Sequence, residues 1–246
     1  MKIILAPAKQ MKTADDDFSW RDLPVYLEKT EILMKKMKQM DDRQLKAMWR
    51  CSEPIVWQNV ERLEDMDLRG RLSPAVFSYD GLAYKHLSVG AMTWDQLEYL
   101  QSHLRILSGF YGILKPFDGI TPYRLEMQTT VPDIGDLYTF WGDLLYRELI
   151  DDDHLIINLA SKEYSKAVEP YLRNQDRMIT IVFEKTAGKP GLGSAIIKLA
   201  RGEFTYWMAE NNITDPEDLK SFNVGFTYHE ERSDDTHFVF TENKKA

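Results

Sequence analysis

The sequence predicts a mixed α/β (α+β) fold: a single compact domain over residues 1–246, with a central mixed sheet surrounded by helices. Three observations carry this. Two short apolar runs, Lys2-Ile3-Ile4-Leu5 and Leu155-Ile156-Ile157-Asn158-Leu159, each break off at a turn, and the second leads into a helix start at Ser161; apolar strand, tight turn and capped helix make the unit of an α/β sheet. Helix-entry signals recur between such runs, with Ser52 ahead of Pro54 and Thr93 three residues before Gln96. Residues 224–228 and 237–241 flank an acidic run and read as a closing hairpin.

The elements follow in order. The first strand ends in Ala6-Pro7-Ala8-Lys9, a loop that sets a lysine just past a strand end. Residues 23–66 read as helical, with Leu27, Met34, Met37 and Met40 as core packing on one side, Lys35, Lys36 and Lys38 as a solvated face, and a second start at Ser52. Ala75-Val76-Phe77-Ser78-Tyr79 reads as a strand closed by the turn dipeptide Asp80-Gly81. The Thr93/Gln96 capping box opens a helix whose stripe, Leu97, Leu100 and Leu104, continues to Ile106 and Leu107. Residues 141–150 read as a short helix, and Ser161 caps one running to about Tyr171. A strand at 178–183, a long helix at 195–211 and a second capping box at Thr214-Asp215-Pro216-Glu217 complete the series. No repeat, low-complexity stretch or flexible linker divides the chain, hence one domain.

With 246 residues, 43% hydrophobic and 28% charged, the chain is long enough to bury a large core without a disulfide or metal staple. Its one cysteine, Cys51, cannot form an internal bridge and reads as a buried, inert thiol. No charged-then-apolar leader and no apolar run near about 18 residues occur, so a cytoplasmic, membrane-free protein is expected. The net charge of −8 argues against generic polyanion binding. Yet ten acidic residues lie in three runs: Asp15-Asp16-Asp17, Asp151-Asp152-Asp153, and Glu230, Glu231, Asp234 and Asp235 around Arg232. Setting those runs and Arg232 aside leaves 29 acidic and 30 basic side chains. Read as solvated loops, the runs leave room for a local basic cleft.

Familiar catalytic and cofactor motifs are missing. Gly188-Lys189-Pro190-Gly191-Leu192-Gly193 is not a phosphate loop, because proline removes a backbone donor and no Lys-Ser/Thr follows. The five histidines are too scattered to encode a metal set; Asp151-x-x-His154 and Asp234-x-x-His237 only approach the Glu-x-x-His pattern. No metal and no cofactor are expected.

Five segments carry chemistry instead. Leu104 to Pro116 reads as a helix entering a Ser108-Gly109 turn with Gly112 beyond it. This is either a helix C-cap or a phosphate-gripping turn of the helix-hairpin-helix kind, though its spacing is one residue too long. In Tyr123-Arg124-Leu125-Glu126, an extended backbone puts Arg124 and Glu126 on one face, where they can pair with each other; a guanidinium beside a tyrosine ring also suits phosphate or base recognition. Tyr138-Thr139-Phe140-Trp141 is core or a stacking wall. Ser161-Lys162 occupies the strand-to-helix turn where α/β sheets place ligands. Lys198 and Arg201, three apart beside the stripe Ile197, Ala200, Phe204 and Trp207, point the same way and can meet one anion together.

Together with Pro7-Ala8-Lys9, Phe140-Trp141-Gly142-Asp143, Asn158-Leu159-Ala160-Ser161 with Glu163-Tyr164, and Ala200-Arg201-Gly202, these stretches resemble, in order and over nearly the whole chain, the YaaA family of bacterial peroxide stress proteins. The resemblance implies a compact mixed α/β fold with a positively charged cleft and association with DNA, double-stranded and without sequence preference. It also implies a cytosolic oxidative stress response role that keeps free intracellular iron low. Ferrous iron converts peroxide to hydroxyl radical, and DNA is a vulnerable target. On matching positions the DNA- or anion-binding residues are Lys9, Arg124, Lys198 and Arg201 as cations, with Tyr123 and Ser161 as neutral partners. The chain departs from the family at Ala6, where serine is common, at His86, which replaces a glycine, and at Leu199, where many members have lysine. Fewer cations weaken phosphate affinity and flatten its salt dependence. The alternative is an enzyme acting on a nucleotide-like or other small anionic substrate in the same cleft, with Lys9, Ser161 or Glu126 as acid–base groups. Direct iron binding requires carboxylates or histidines clustered in space.

Overall fold

The computed structural model describes residues 1–13, 18–185 and 191–243. The acidic run Asp15-Asp16-Asp17 and the Gly188-Lys189-Pro190 part of the glycine-containing loop lie outside them. Seven strands form one sheet in the order Phe226–Tyr228, His237–Glu242, Arg177–Glu184, Leu155–Asn158, Lys2–Leu5, Leu104–Ser108, Gly112–Leu114. The five inner strands are parallel, and each edge is closed by one antiparallel hairpin partner. The fold is thus mixed α/β with helices around a central mixed sheet. The three central parallel strands are covered on both faces, and Ile3, Ile4, Leu104, Ile106, Ile156 and Ile157 are all fully buried. Each such side chain contributes about 1.5–3 kcal/mol through burial.

Strand order fixes where a ligand can go. From the Lys2–Leu5 strand the chain passes to Leu104–Ser108 on one side, then returns to Leu155–Asn158 on the other. The reversal leaves a crevice beyond the C-terminal ends of the first and fourth sheet strands in chain order. The Arg177–Glu184 strand is covered on one face only. Ile179, Ile181 and Phe183 are buried, Phe183 meeting Phe204 and Phe222 at ring centroid distances of 5.9 and 6.5 Å, while Met178, Thr180 and Val182 are half-buried. That period of two leaves a second hollow over the sheet.

Several expected elements take other forms. Residues 75–79 are not a strand: Ala75–Ser78 is one helical turn, in which the Ser78 hydroxyl donates to the Pro74 carbonyl at 2.9 Å, and only Tyr79–Asp80 is extended. The helix capped by Thr93 and Gln96 has its full capping box but ends at His103. Leu104–Ser108 is a fully buried strand paired with Lys2–Leu5, and residues 109–111 turn it into Gly112–Leu114. The phosphate-gripping turn and the helix C-cap are both overturned. Ser108 Oγ accepts from the amides of Phe110 and Tyr111 at 3.2 and 2.9 Å, so those donors are taken internally. Gly112 has φ +77°, and a Cβ there would lie 2.8 Å from the Trp141 ring. The single helix expected at 141–150 is two, Leu137–Trp141 and Leu144–Arg147, separated at Gly142 with φ +55°. The helix after Ser161 is only Lys162–Ser165, followed by a 3-10 turn at Glu169–Tyr171. The cap before Pro216 is Asp215, which accepts from the Glu217 amide at 2.9 Å.

The two described acidic runs are exposed, as solvated loops are, and several of their carboxylates also hold local partners. Asp153 takes the N-terminal ammonium, Asp151 pairs with Lys2 at 2.8 Å, and Asp234 accepts from the Thr236 and His237 amides at 2.7 and 2.8 Å. Lys36 pairs with Asp133, and Lys38 donates to the Glu64 and Met66 carbonyls, so that lysine face is also engaged. No helix among the described residues is long and apolar enough to cross a membrane.

Candidate functional site

The crevice is assembled from chain segments that each stop for a local reason. After Leu5 the chain crosses the sheet's C-terminal edge as Ala6-Pro7-Ala8-Lys9, pinned where the Tyr84 hydroxyl donates to the Ala6 carbonyl at 3.0 Å. After Asn158 the chain bends because the Asn158 side-chain oxygen accepts from the Ala160 amide at 3.0 Å. Ser161 therefore sits at an N-cap with its hydroxyl unused by the helix. The Ser194–Glu210 helix supplies Lys198 and Arg201. It packs closely on the Leu82–Leu87 helix because Gly202 lets the two backbones touch, and His86 Nδ1 meets Glu203 Oε1 at 3.2 Å beside it.

Lys9, Ser161, Lys198 and Arg201 border one hollow of about 430 Å³ with Glu163 and Tyr164. Lys198 is exposed and makes no ion pair with a described residue. Arg201 is half-buried, its guanidinium has no partner among the described residues, and its Nε is fully enclosed. Burial pushes that guanidinium below its ordinary pKa. Lys9 Nζ reaches Glu126 Oε2 at 2.8 Å, and its side chain is 61% exposed.

Arg124 and Tyr123 lie elsewhere. Arg124 Nη2 pairs with Glu126 Oε1 at 2.8 Å and Nη1 donates to the Lys9 carbonyl at 3.3 Å. It lines a neighbouring recess of about 240 Å³ that also includes Lys9, Glu126 and Arg50. Lys9 is thus shared between recess and crevice. Tyr123 is buried beneath, its hydroxyl 2.9 Å from that of Tyr79 and 2.6 Å from Ser108 Oγ, and burial pushes it up to about 12.

Glu163, Tyr84, Tyr164 and Asp80 were not singled out from the sequence as site residues, although Glu163-Tyr164 belongs to the stretches that carry the resemblance. Their convergence depends on two segments about eighty residues apart. Burial raises the Glu163 carboxyl, helped by the nearby Glu126 charge and opposed by the Gln128 amide and Lys9. Asp80 pairs with Lys85 at 3.0 Å. The crevice wall therefore carries three cations and two carboxylates. Its two cations without partners among the described residues suit an anion with several oxygens, and burial favours the neutral form of the Glu163 carboxyl in the same wall.

Among the described residues no group of three His, Cys, Asp or Glu side chains could hold a metal ion. The histidines have local partners: His154 meets Asp176 at 2.8 Å and His103 meets the Met1 carbonyl at 2.9 Å. Trp141 of the aromatic run is core, donating from Nε1 to the Gly109 carbonyl at 3.1 Å, while Lys29 lies 4.1 Å from the Phe140 ring centre.

The family model described as peroxide stress protein YaaA matches residues 1–232. A UPF0246 protein of Agathobacter rectalis is 49% identical over 98% of each chain, and one of Pediococcus pentosaceus is 44% identical over 99% of each.

Proposed function

Because the chain belongs to the peroxide stress protein YaaA family, we propose that it acts in the cytoplasmic peroxide stress response by associating with DNA through this crevice and keeping free intracellular iron low. The observation that supports DNA contact is the pair Lys198 and Arg201, two cations without partners among the described residues at the sheet's ligand position. Backbone phosphates carry no sequence information, so binding is non-specific. The iron effect is indirect in this reading: it protects the same DNA from hydroxyl radical.

Fluorescence anisotropy against salt tests the contact. Three crevice cations on three phosphates give a log–log slope near about −2.7, and each cation lost removes about one unit. Arg201→Ala is expected to weaken binding and shallow the slope by about one unit. Affinity and slope unchanged in both Arg201→Ala and Lys198→Ala refute the proposal. The iron arm is read as EPR-visible iron in peroxide-treated cells with and without the gene; equal levels refute it.

One observation favours a second reading, an enzyme on a small anionic substrate. Glu163, with its carboxyl raised by burial, lies in the crevice with Lys9 and Ser161. Under that reading Glu163→Gln abolishes turnover of an identified substrate while leaving phosphate binding intact.

A further inference from the structure

The hollow over the open sheet face, about 820 Å³, lies within the range of about 300–1,000 Å³ that holds a small ligand, and DNA contact at the crevice leaves it unused. Its charges balance, with Lys162, Arg177 and Arg201 against Glu169, Asp176 and Asp235. Most of them are held locally. Lys162 pairs with Glu169, which also takes the Ser165 hydroxyl at 2.7 Å. Asp176 accepts from the Tyr146 hydroxyl at 2.8 Å and meets His154 Nδ1 at 2.8 Å. Arg177 Nε donates to the Asp235 main-chain carbonyl at 3.0 Å. Two side chains are left without a partner among the described residues. One is the half-buried Arg201 guanidinium, whose Nε is enclosed, and the other is the exposed Asp235 carboxylate.

These two groups stand on different sides of the hollow. Arg201 also borders the crevice, beyond the end of the Leu155–Asn158 strand, whereas Asp235 lies just before the His237–Glu242 strand. Asn158 pairs with Thr180 and Thr180 with His237 across adjacent strands. Two strand spacings therefore set their separation on the order of 10 Å.

A ligand that meets both needs a negative and a positive group about that far apart. Three extended residues at about 3.3–3.6 Å each span it. The two oxygens of a terminal carboxylate match a guanidinium, and they offset the cost of an enclosed, unpaired donor. Ala160, Leu172 and Met178 add apolar contact in the same wall. A polyanion is opposed here by three carboxylates, and a polyamine by three cations.

We infer that the hollow binds a short peptide of about three residues, its C-terminal carboxylate on Arg201 and its N-terminal ammonium at Asp235. This goes beyond the crevice reading and does not depend on it.

The test is an NMR titration of the full chain, free of nucleic acid, with trialanine, trialanine amide, N-acetyltrialanine and alanine. Trialanine amide lacks the carboxylate and is expected to bind at least about tenfold weaker than trialanine, the effect of a lost hydrogen bond to a charged group. N-acetyltrialanine is expected to bind about two- to fivefold weaker, because Asp235 is exposed and its ion pair is screened. Alanine, too short to reach both groups, is expected to bind no tighter than N-acetyltrialanine. Arg201→Ala is expected to abolish the difference between trialanine and its amide, and Asp235→Asn the difference between trialanine and its acetylated form. The ligand comparisons use the parent protein, so they stand whether or not a variant folds. Either blocked peptide binding as tightly as trialanine overturns the inference, and so does alanine matching trialanine. A difference that survives its variant, or no binding of any probe, overturns it as well. DNA affinity is read separately by anisotropy, so each of these outcomes leaves the crevice reading standing.

Discussion

Gly202→Ala tests whether the crevice is held by a backbone contact. A Cβ at residue 202 would lie 2.0 Å from the Ala83 carbonyl oxygen, 2.9 Å from its carbon and 3.0 Å from the Leu87 amide nitrogen, where ordinary contact begins at 3.4 Å. All three atoms are backbone of the facing helix, so no side chain can swing aside; the helices must part by well over an ångström. Alanine favours the helix over glycine by about 1 kcal/mol. Overpacking costs about 1–3 kcal/mol, and a clash this close against rigid backbone belongs at or above the top of that range. The net expectation is a loss of about 2 kcal/mol. Urea unfolding reads this as a midpoint lowered by about 1 M at unchanged slope, taking a slope of about 2 kcal/mol/M. Arg201 and Glu203 flank the glycine, so parting the helices also moves the guanidinium off the crevice and disturbs the contact with His86. DNA affinity is therefore expected to fall with stability. A midpoint equal to or above the parent's refutes the close-approach argument.

Two further outcomes follow from buried polar groups. Ser108→Ala removes the acceptor of the Phe110 and Tyr111 amides and a partner of Tyr123. The expected cost is about 2–3 kcal/mol, seen as a melting temperature lower by about 5–10 °C; a shift under about 1 °C counts against it. Burial raises the Asp118 carboxyl from 3.8 to about 7, with Oδ1 enclosed and unpartnered. The folded protein then holds a proton the unfolded chain has lost between pH about 4 and about 7, so this group's contribution to stability declines as pH rises through that window. Asp118→Asn is expected to gain on the parent from pH 4 to 7, with the difference closing toward pH 4. Chemical denaturation across that range checks it, and a pH-independent difference refutes it.

What was legible in the sequence was what is decided locally. The Thr93/Gln96 box and the apolar strands at 2–5 and 155–158 depend on neighbours a few residues apart. Leu104–Ser108 depends on a partner a hundred residues away. Its apolar run continues the stripe of Leu97 and Leu100 without a loop, and periodicity does not separate a buried strand from a buried helix segment. The site divides the same way. Lys9 and Ser161 were legible because loops after strand ends face the ligand position, and the possible pairing of Arg124 with Glu126 followed from their spacing. That Glu126 would also take Lys9, and that Glu163 and Tyr84 would meet the same hollow, required four segments to converge.

The net charge of −8 acquires a direction once the fold is known. Because the inner strands are parallel, their N-terminal ends share one edge of the sheet. There Asp151 and Asp153 are neutralised by Lys2 and the N-terminus, which leaves the exposed Asp152 as the net negative charge of that run. Lys9, Lys198 and Arg201 stand at the opposite edge. The Lys2–Leu5 strand spans four residues, about 13 Å at about 3.3 Å each, which exceeds the Debye length of about 8 Å at physiological salt. The acidic edge is therefore screened from the crevice under those conditions and no longer screened in dilute buffer. Lowering salt strengthens phosphate contact at the crevice while it extends repulsion from the rest of the surface. The log–log binding curve should accordingly bend toward a shallower slope at the lowest salt, where a uniformly basic surface would stay linear.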